Sequence, residues 1–301
     1  MPLLGIYPPS AENIAPEKRL AMVKEAGFDF VCLGIKAASQ GDPNAITPMM
    51  CEKAGLECDN VHLTCNGSHA LWAPGEEGDA IVARLCREIE LASSWGVRVG
   101  IVHTTWGIKP PPPLSDIGLT RFEAITKCAE EHRFTVAVEN SAFLAYLHPV
   151  LEHLQSPFVG YTFDSGHHHA FANGEDLLGR YGTRLCATHI HDNDGVSDLH
   201  LMAFDGNADW EYVTRGLANT PFGSARITSE AKGVHTQKYP DMTAEQIAER
   251  LSGIALAKEP ELMKIEDGIV TFYPGFSYEQ MLERQYKALR RVSDMIEAVN
   301  A

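Results

Sequence analysis

The side chains of this chain with most capacity for chemistry sit at the ends of short apolar runs. Six such runs close on His62, His103, Glu139, Asp164, His189 and Glu230. Two loops add to the set. Asp164-Ser-Gly-His167 places a histidine three residues after an acidic strand end, and Asp198-Leu-His200 places two ligand-type side chains on one side of an extended segment. Taken singly, His62 or His103 reads first as an ordinary core histidine. A carboxylate on a buried run such as Val-Ala-Val-Glu139 is different, because burying a charge is costly unless it is paired. Carboxylates and imidazoles that converge repel or desolvate one another unless a cation holds them. Mixed oxygen and nitrogen ligands suit Mn²⁺, Zn²⁺, Co²⁺ or Fe²⁺ better than Ca²⁺. His168 and His169 read as bystanders, since three adjacent side chains cannot all face one site. His191, Asp192 and Asp194 read as a polar turn, and Asp209 as the N-cap of a helix opening at Trp210.

Such a set needs a scaffold that gathers strand ends. Strands are predicted at 3–6, 28–33, 59–63, 97–103, 134–139, 159–164, 185–190 and 225–230, short and continuously apolar as strands buried on both faces are. Amphipathic helices are predicted at 16–26, 79–95, 115–132, 210–218 and 278–299. Eight strands alternating with helices imply parallel pairing and right-handed crossovers, and the count favours a closed α/β barrel of the (β/α)8 type. Three stretches exceed a minimal barrel: 64–78, 107–116 with its run of prolines from Pro110 to Pro113, and 232–275. All leave the C-terminal ends of strands, where barrel active sites lie. The expected organisation is one barrel domain over 1–301, with an insertion at 232–275 and a closing helix over 276–301.

Composition excludes other classes. Apolar residues make up 45% and charged residues 22% of the 301, ordinary for a globular chain. No apolar run reaches membrane-spanning length, so no membrane partner is expected. The N-terminal MPLLGIYPPSAEN has no basic stretch before an apolar core, so no secretory leader is expected. A net charge of −15 disfavours nucleic acid as a partner, though bound cations would make a cleft locally positive. The seven cysteines lack any CxxC spacing, which fits reduced thiols in a cytoplasmic enzyme. No GxGxxG follows the first strand and no phosphate-binding P-loop occurs.

The segments VHLTCN, IVHTT, VAVEN, FDSGHHHAFANG, HIHDNDG with DLH, and ITSEAKG together resemble the xylose isomerase-like TIM barrels, a superfamily of sugar isomerases and epimerases that also holds the endonuclease IV enzymes. The resemblance spans about residues 1–232 and takes in the final helix. Its epimerase branch implies one divalent cation (Mn²⁺, Zn²⁺, Co²⁺ or Mg²⁺) held by Glu139, Asp164, His189 and Glu230. The same two glutamates would move a proton through a metal-stabilised enediolate, and His167 would touch substrate. Its nuclease branch implies three zinc ions: one on His62, His103 and Glu139, one on Glu139, Asp164, His189 and Glu230, one on His167, Asp198 and His200. The acidity of the chain and the lack of an arginine wedge depart from a nuclease.

The reading is therefore a divalent-metal-dependent sugar isomerase or epimerase with a small carbohydrate substrate. Glu139 and Glu230 are the expected acid–base pair, and His62, His103, His167, Asp198 and His200 are further metal or substrate contacts. Trp72 and Trp106 are candidates to pack on a sugar face, or else core residues. A homo-oligomer is an open expectation. The rival readings are a multi-zinc hydrolase or lyase and a non-catalytic sugar-binding barrel.

Overall fold

A short apolar run flanked by a glycine or a polar turn cannot bury both faces alone, and here eight of them solve the problem by closing on one another. The computed structural model describes every residue except Glu12 and Pro43. In chain order the elements are β1 (Leu3–Ile6), α1 (Pro16–Glu25), β2 (Phe30–Gly34), α2 (Ile35–Ser39), α3 (Pro48–Lys53), β3 (Glu57–His62), α4 (Glu76–Ser94), β4 (Val99–His103), α5 (Asp116–Glu131), β5 (Thr135–Glu139), α6 (Leu144–His153), β6 (Val159–Asp164), α7 (Ser165–Phe171), α8 (Leu177–Tyr181), β7 (Leu185–His189), α9 (Trp210–Ala218) and β8 (Arg226–Ser229). After the barrel come β9 (His235–Lys238), α10 (Ala244–Leu251), β10 (Met263–Glu266), β11 (Ile269–Phe272) and α11 (Tyr278–Asn300).

The eight barrel strands run parallel in the order β7-β6-β5-β4-β3-β2-β1-β8. The seam between β7 and β8 closes at the C-terminal end, where Ile190 bridges Ser229 and the Ile190 amide donates to the Thr228 carbonyl at 2.8 Å. The barrel interior holds a small cluster of Cys32, Ile101, Ala137 and Ala187, and a larger apolar layer packs between strands and helices. The expected strands are all present, each within about two residues of its predicted bounds, because continuous apolarity marks burial on both faces. α11 packs against α9 and lays Leu282, Leu289, Val292 and Ile296 on the barrel core.

Two of the three long stretches differ from plain loops. Residues 64–78 contain a 3₁₀ turn over Ser68–Trp72 and the first turn of α4, clamped by Arg121, which donates to the carbonyls of Ala70, Leu71 and Gly75. Residues 232–275 fold into an antiparallel sheet of order β10-β11-β9 backed by α10. This lobe has its own apolar centre, in which Ile247, Leu251, Leu262, Val270 and Phe272 meet Leu199, Leu201 and Met281 from the barrel.

Candidate metal centre

Six of the eight strand ends place one polar side chain at the mouth of the barrel, where the chain has no further apolar layer to enter. His62 ends β3, His103 β4, Glu139 β5, Asp164 β6 and His189 β7, while Glu230 follows β8 by one residue. His189 Nδ1 lies 3.3 Å from Glu139 Oε2, 3.2 Å from Glu230 Oε2 and 3.9 Å from Asp164 Oδ2. Ligand atoms of all four residues fall within 4.8 Å of one another. Glu139, Asp164 and His189 are buried, and Glu230 is 15% exposed.

Distance alone would make this a set of ion pairs, but the orientations are wrong for one. Among the described residues neither ring nitrogen of His189 has a hydrogen-bond partner, and neither does Glu139 Oε1, although His167 Nδ1 is 3.2 Å from it. Buried polar atoms are normally satisfied. Donor atoms that crowd together without bonding aim at the space between them, as the ligands of a cation do. Three carboxylates and an imidazole are a fitting donor set for Mn²⁺, Co²⁺, Zn²⁺ or Mg²⁺. Burial pushes the Glu139 carboxyl up, but the facing imidazoles, His103 and His189 first, hold it well below the ordinary carboxylate range. Burial pushes His189 down, and Glu230 and Glu139 together lift it well above the usual imidazole value.

Surrounding groups hold these ligands in place. Asn140 receives the Asp164 amide at 2.9 Å and the Tyr161 hydroxyl at 2.8 Å, and donates to the Asp164 carbonyl. Asp164 also caps α7 by accepting from the His167 amide. His62 donates its Nδ1 proton to the Leu63 carbonyl and His200 its Nδ1 proton to the Glu230 carbonyl, which turns both Nε2 atoms toward the site. His200 holds a left-handed backbone at φ 49°, a strained position for a histidine.

A second group stands beside the first. His200 Nε2 is 3.2 Å and His167 Nε2 3.4 Å from Asp198 Oδ2. His191 Nε2 lies 3.0 Å from the Asp164 carboxylate, and its ring stacks on His200 with centroids 4.2 Å apart. Burial raises the Asp198 carboxyl, but His200 and His167 bring it well below its usual value. Burial lowers His167, and Asp164 and Asp198 more than reverse that.

Several of these groups meet at one cavity of about 540 Å³. His62, His103, Glu139, His167, Asp198, His200, Glu230 and Trp106 line it; Asp164 and His189 belong to the adjacent cluster. Among its described lining residues Lys232 is the one lysine or arginine. Trp72 takes the core alternative and is corrected as a sugar-packing residue. It is 1% exposed, donates Nε1 to the Thr104 carbonyl at 2.7 Å and packs on Phe122 and Tyr146. A Cβ on Gly118 would meet its ring at 2.0 Å. Trp106, 43% exposed, stays at the mouth.

His191 and Asp192 are not a solvated turn. His191 is fully buried, and Gly166 is required beneath it because a Cβ there would sit 2.0 Å from the imidazole. Asp192 is a buried hub that accepts from the amides of Asn193, Phe204 and Ala208 and from Trp210 Nε1. The signal for His191 was the alternation His189-Ile-His191, which sends both imidazoles to one side while the chain stays extended. Asp194 does form a turn, accepting from the Val196 and Ser197 amides and pairing with Arg250 of α10. Asp209 caps α9, and His168 and His169 turn away to the Glu175 carbonyl and Asn207.

Comparisons with known proteins bear on the family and the fold. A family model described as xylose isomerase-like TIM barrel matches residues 20–256. An uncharacterized protein of Sinorhizobium fredii is 36% identical over a match covering 67% of this chain and 77% of its own length. Among solved structures, an L-ribulose 3-epimerase superposes with TM-score 0.66 at 16% identity, covering 100% of this chain and 96% of its own. A D-psicose 3-epimerase superposes with TM-score 0.65 at 13% identity, covering 97% and 99%. The barrel, its converging strand-end side chains and the family match lead to one conclusion: this chain belongs to the xylose isomerase-like TIM barrel family.

Proposed function

We propose that the protein is a divalent-metal-dependent sugar isomerase or epimerase. The observation that carries this reading is the placement of Glu139 and Glu230. Both border the cavity and both approach His189 Nδ1 within 3.3 Å, yet they come from opposite ends of the β5-to-β8 arc. Glu139, Asp164, His189 and Glu230 would hold the cation, which supplies a Lewis acid that polarises a hydroxy-ketone and acidifies the neighbouring C–H. One glutamate takes the proton from carbon at a carboxylate oxygen, and the other returns a proton to the opposite face. His167 and His200 offer ring nitrogens to substrate hydroxyls, and Trp106 gives the cavity an apolar wall. The likeness of the fold to an L-ribulose 3-epimerase and a D-psicose 3-epimerase supports this class of reaction.

Incubating the metal-loaded protein with a panel of ketoses in deuterated water tests the reading. The expected result is an epimer or isomer with solvent deuterium at the reacting carbon. Turnover of phosphodiesters or glycosides, with no carbon-bound deuterium in any ketose, would overturn it. That outcome would favour the second reading, a multi-zinc hydrolase or lyase, which rests on the cluster of His191, Asp198 and His200.

A further inference from the structure

The loop that follows β4 carries Trp106 to the cavity, and the near end of that loop is tied down through one side chain. The Trp106 amide donates to His69 Nδ1 at 3.0 Å, and His69 Nε2 donates to the Lys109 carbonyl at 2.8 Å. The partners fix the tautomer. An amide N–H can only donate and a carbonyl can only accept, so Nδ1 is bare and Nε2 carries the hydrogen. Gly107 turns the chain between the two contacts at φ 66°, in the left-handed region that suits glycine. Among the described residues no other backbone group from Trp106 to Pro111 makes a hydrogen bond. The next tie is at Pro112, whose carbonyl accepts from the Tyr146 hydroxyl.

His69 can hold a loop because its own backbone is fixed. It belongs to the 3₁₀ turn over Ser68–Trp72. Ser68 donates its hydroxyl to the Cys65 carbonyl at 2.7 Å, and buried Arg121 grips the carbonyls of Ala70 and Leu71 just after His69. Three residues on, buried Trp72 anchors the turn in the core. The imidazole also meets the Phe143 ring edge-on, with centroids 6.3 Å apart, so the segments after β3, β4 and β5 come together at it.

We infer that His69 is a positioning residue, which fixes the loop after β4 so that Trp106 stands as a preformed wall of the cavity. His69 itself is not among the described lining residues, so it acts through Trp106. The inference rests on the proposed function in taking Trp106 as a substrate-facing wall. The role needs an acceptor and a donor side by side. A neutral imidazole supplies both, and the carboxamide of glutamine reproduces them without the ring. Phenylalanine keeps a ring against Phe143 and supplies neither. A wall fixed before substrate arrives loses less freedom on binding, so it acts on affinity rather than on the chemical step.

Hydrogen exchange and fluorescence of the full chain test this without any substrate. In the wild type the Trp106 amide should be protected from exchange although it lies in a loop. Trp106→Phe identifies the fluorescence that Trp106 adds to that of Trp72, Trp95 and Trp210. His69→Phe should lose the amide protection and open Trp106 to quenching by acrylamide, whereas His69→Gln should keep both close to the wild type. With a ketose that the wild type turns over, His69→Phe should raise KM about threefold with kcat unchanged. An unprotected Trp106 amide in the wild type overturns the inference. So does unchanged protection and quenching in His69→Phe, or a fall in kcat at constant KM. The wild-type exchange decides even if a variant fails to fold. A wild type that turns over no ketose while the exchange and quenching results hold overturns the proposed function and leaves the placement of Trp106 by His69 standing.

Discussion

The two ends of the barrel treat charge in opposite ways. At the N-terminal end, Arg226 at the start of β8 reaches across to Asp59 at 2.6 Å and Glu57 at 3.0 Å, and covers the Phe30 ring. Asp29 accepts from the Leu4 amide at 2.9 Å. Every one of these carboxylates has found a protein donor. At the C-terminal mouth the carboxylates of Glu139, Asp164 and Glu230 crowd one imidazole, and buried atoms of Glu139, His167 and His189 go without hydrogen bonds. The same fold that pairs charges at one end leaves them converging at the other. The floor is arranged for stability and the mouth for something brought to it.

The largest effect should come from the mouth. Glu139→Gln or Glu230→Gln is expected to cut turnover by about 10²–10⁴-fold, the usual worth of a positioned acid or base. In chelator, Glu139→Gln should melt below the wild type, since the charge that His103 and His189 favour has gone. Turnover that survives in either folded variant would show the carboxylates to be structural.

Removing the proposed cation is next. A ligand present at a hundred times its dissociation constant stabilises by about 2.7 kcal/mol, so stripping should lower the melting temperature by about 5 °C in calorimetry. The pH dependence of the stripped protein follows from the shifted groups. The carboxyls of Glu139 and Asp198 sit below their usual values of 4.5 and 3.8, so their contribution is complete above those values and fades as pH falls through the lowered ones. His167 and His189 sit above 6.5, so theirs is complete below that value and fades as pH rises through the raised ones. Stripped protein should be most stable between about pH 5 and 6.5, whereas metal-loaded protein should hold its stability above that window. Identical alkaline limbs would break the comparison.

The floor answers with the reverse pattern. Arg226→Met leaves two carboxylates without their guanidinium and should cost about 2 kcal/mol of stability, read by denaturant titration. Metal affinity and turnover of the folded variant should stay within about twofold, because a charge change this remote acts only weakly. The smallest effect is expected from Trp106→Ala. Loss of an exposed stacking face should raise KM by about 3–10-fold with kcat and melting temperature unchanged. A matching loss of stability would place Trp106 in the core with Trp72.

Much of this was legible from residue order. A strand buried on both faces is a mostly apolar run, and the histidine or carboxylate that closes it marks the mouth, so His62, His103, Glu139, Asp164, His189 and Glu230 stand out as a set. Asp209 followed by Trp210 likewise announces a cap.

Tertiary structure decided the rest, for reasons that lie outside any short window. Trp72 has the same composition of neighbours as a mouth residue, and only α5 folding over it makes it core. Residues 232–275 read only as an insertion, and their strands exist because an antiparallel partner covers them together with Leu199, Leu201 and Met281. His191 and Asp192 lie in a stretch whose composition is that of a turn. They are buried because Gly166, twenty-five residues earlier, leaves room for the imidazole, and because Phe204, Ala208 and Trp210 bring donors to the carboxylate. Local order determined which side chains end the strands; contacts between distant segments determined which polar groups would be buried, and burial is what turns a polar residue into a ligand or a hub.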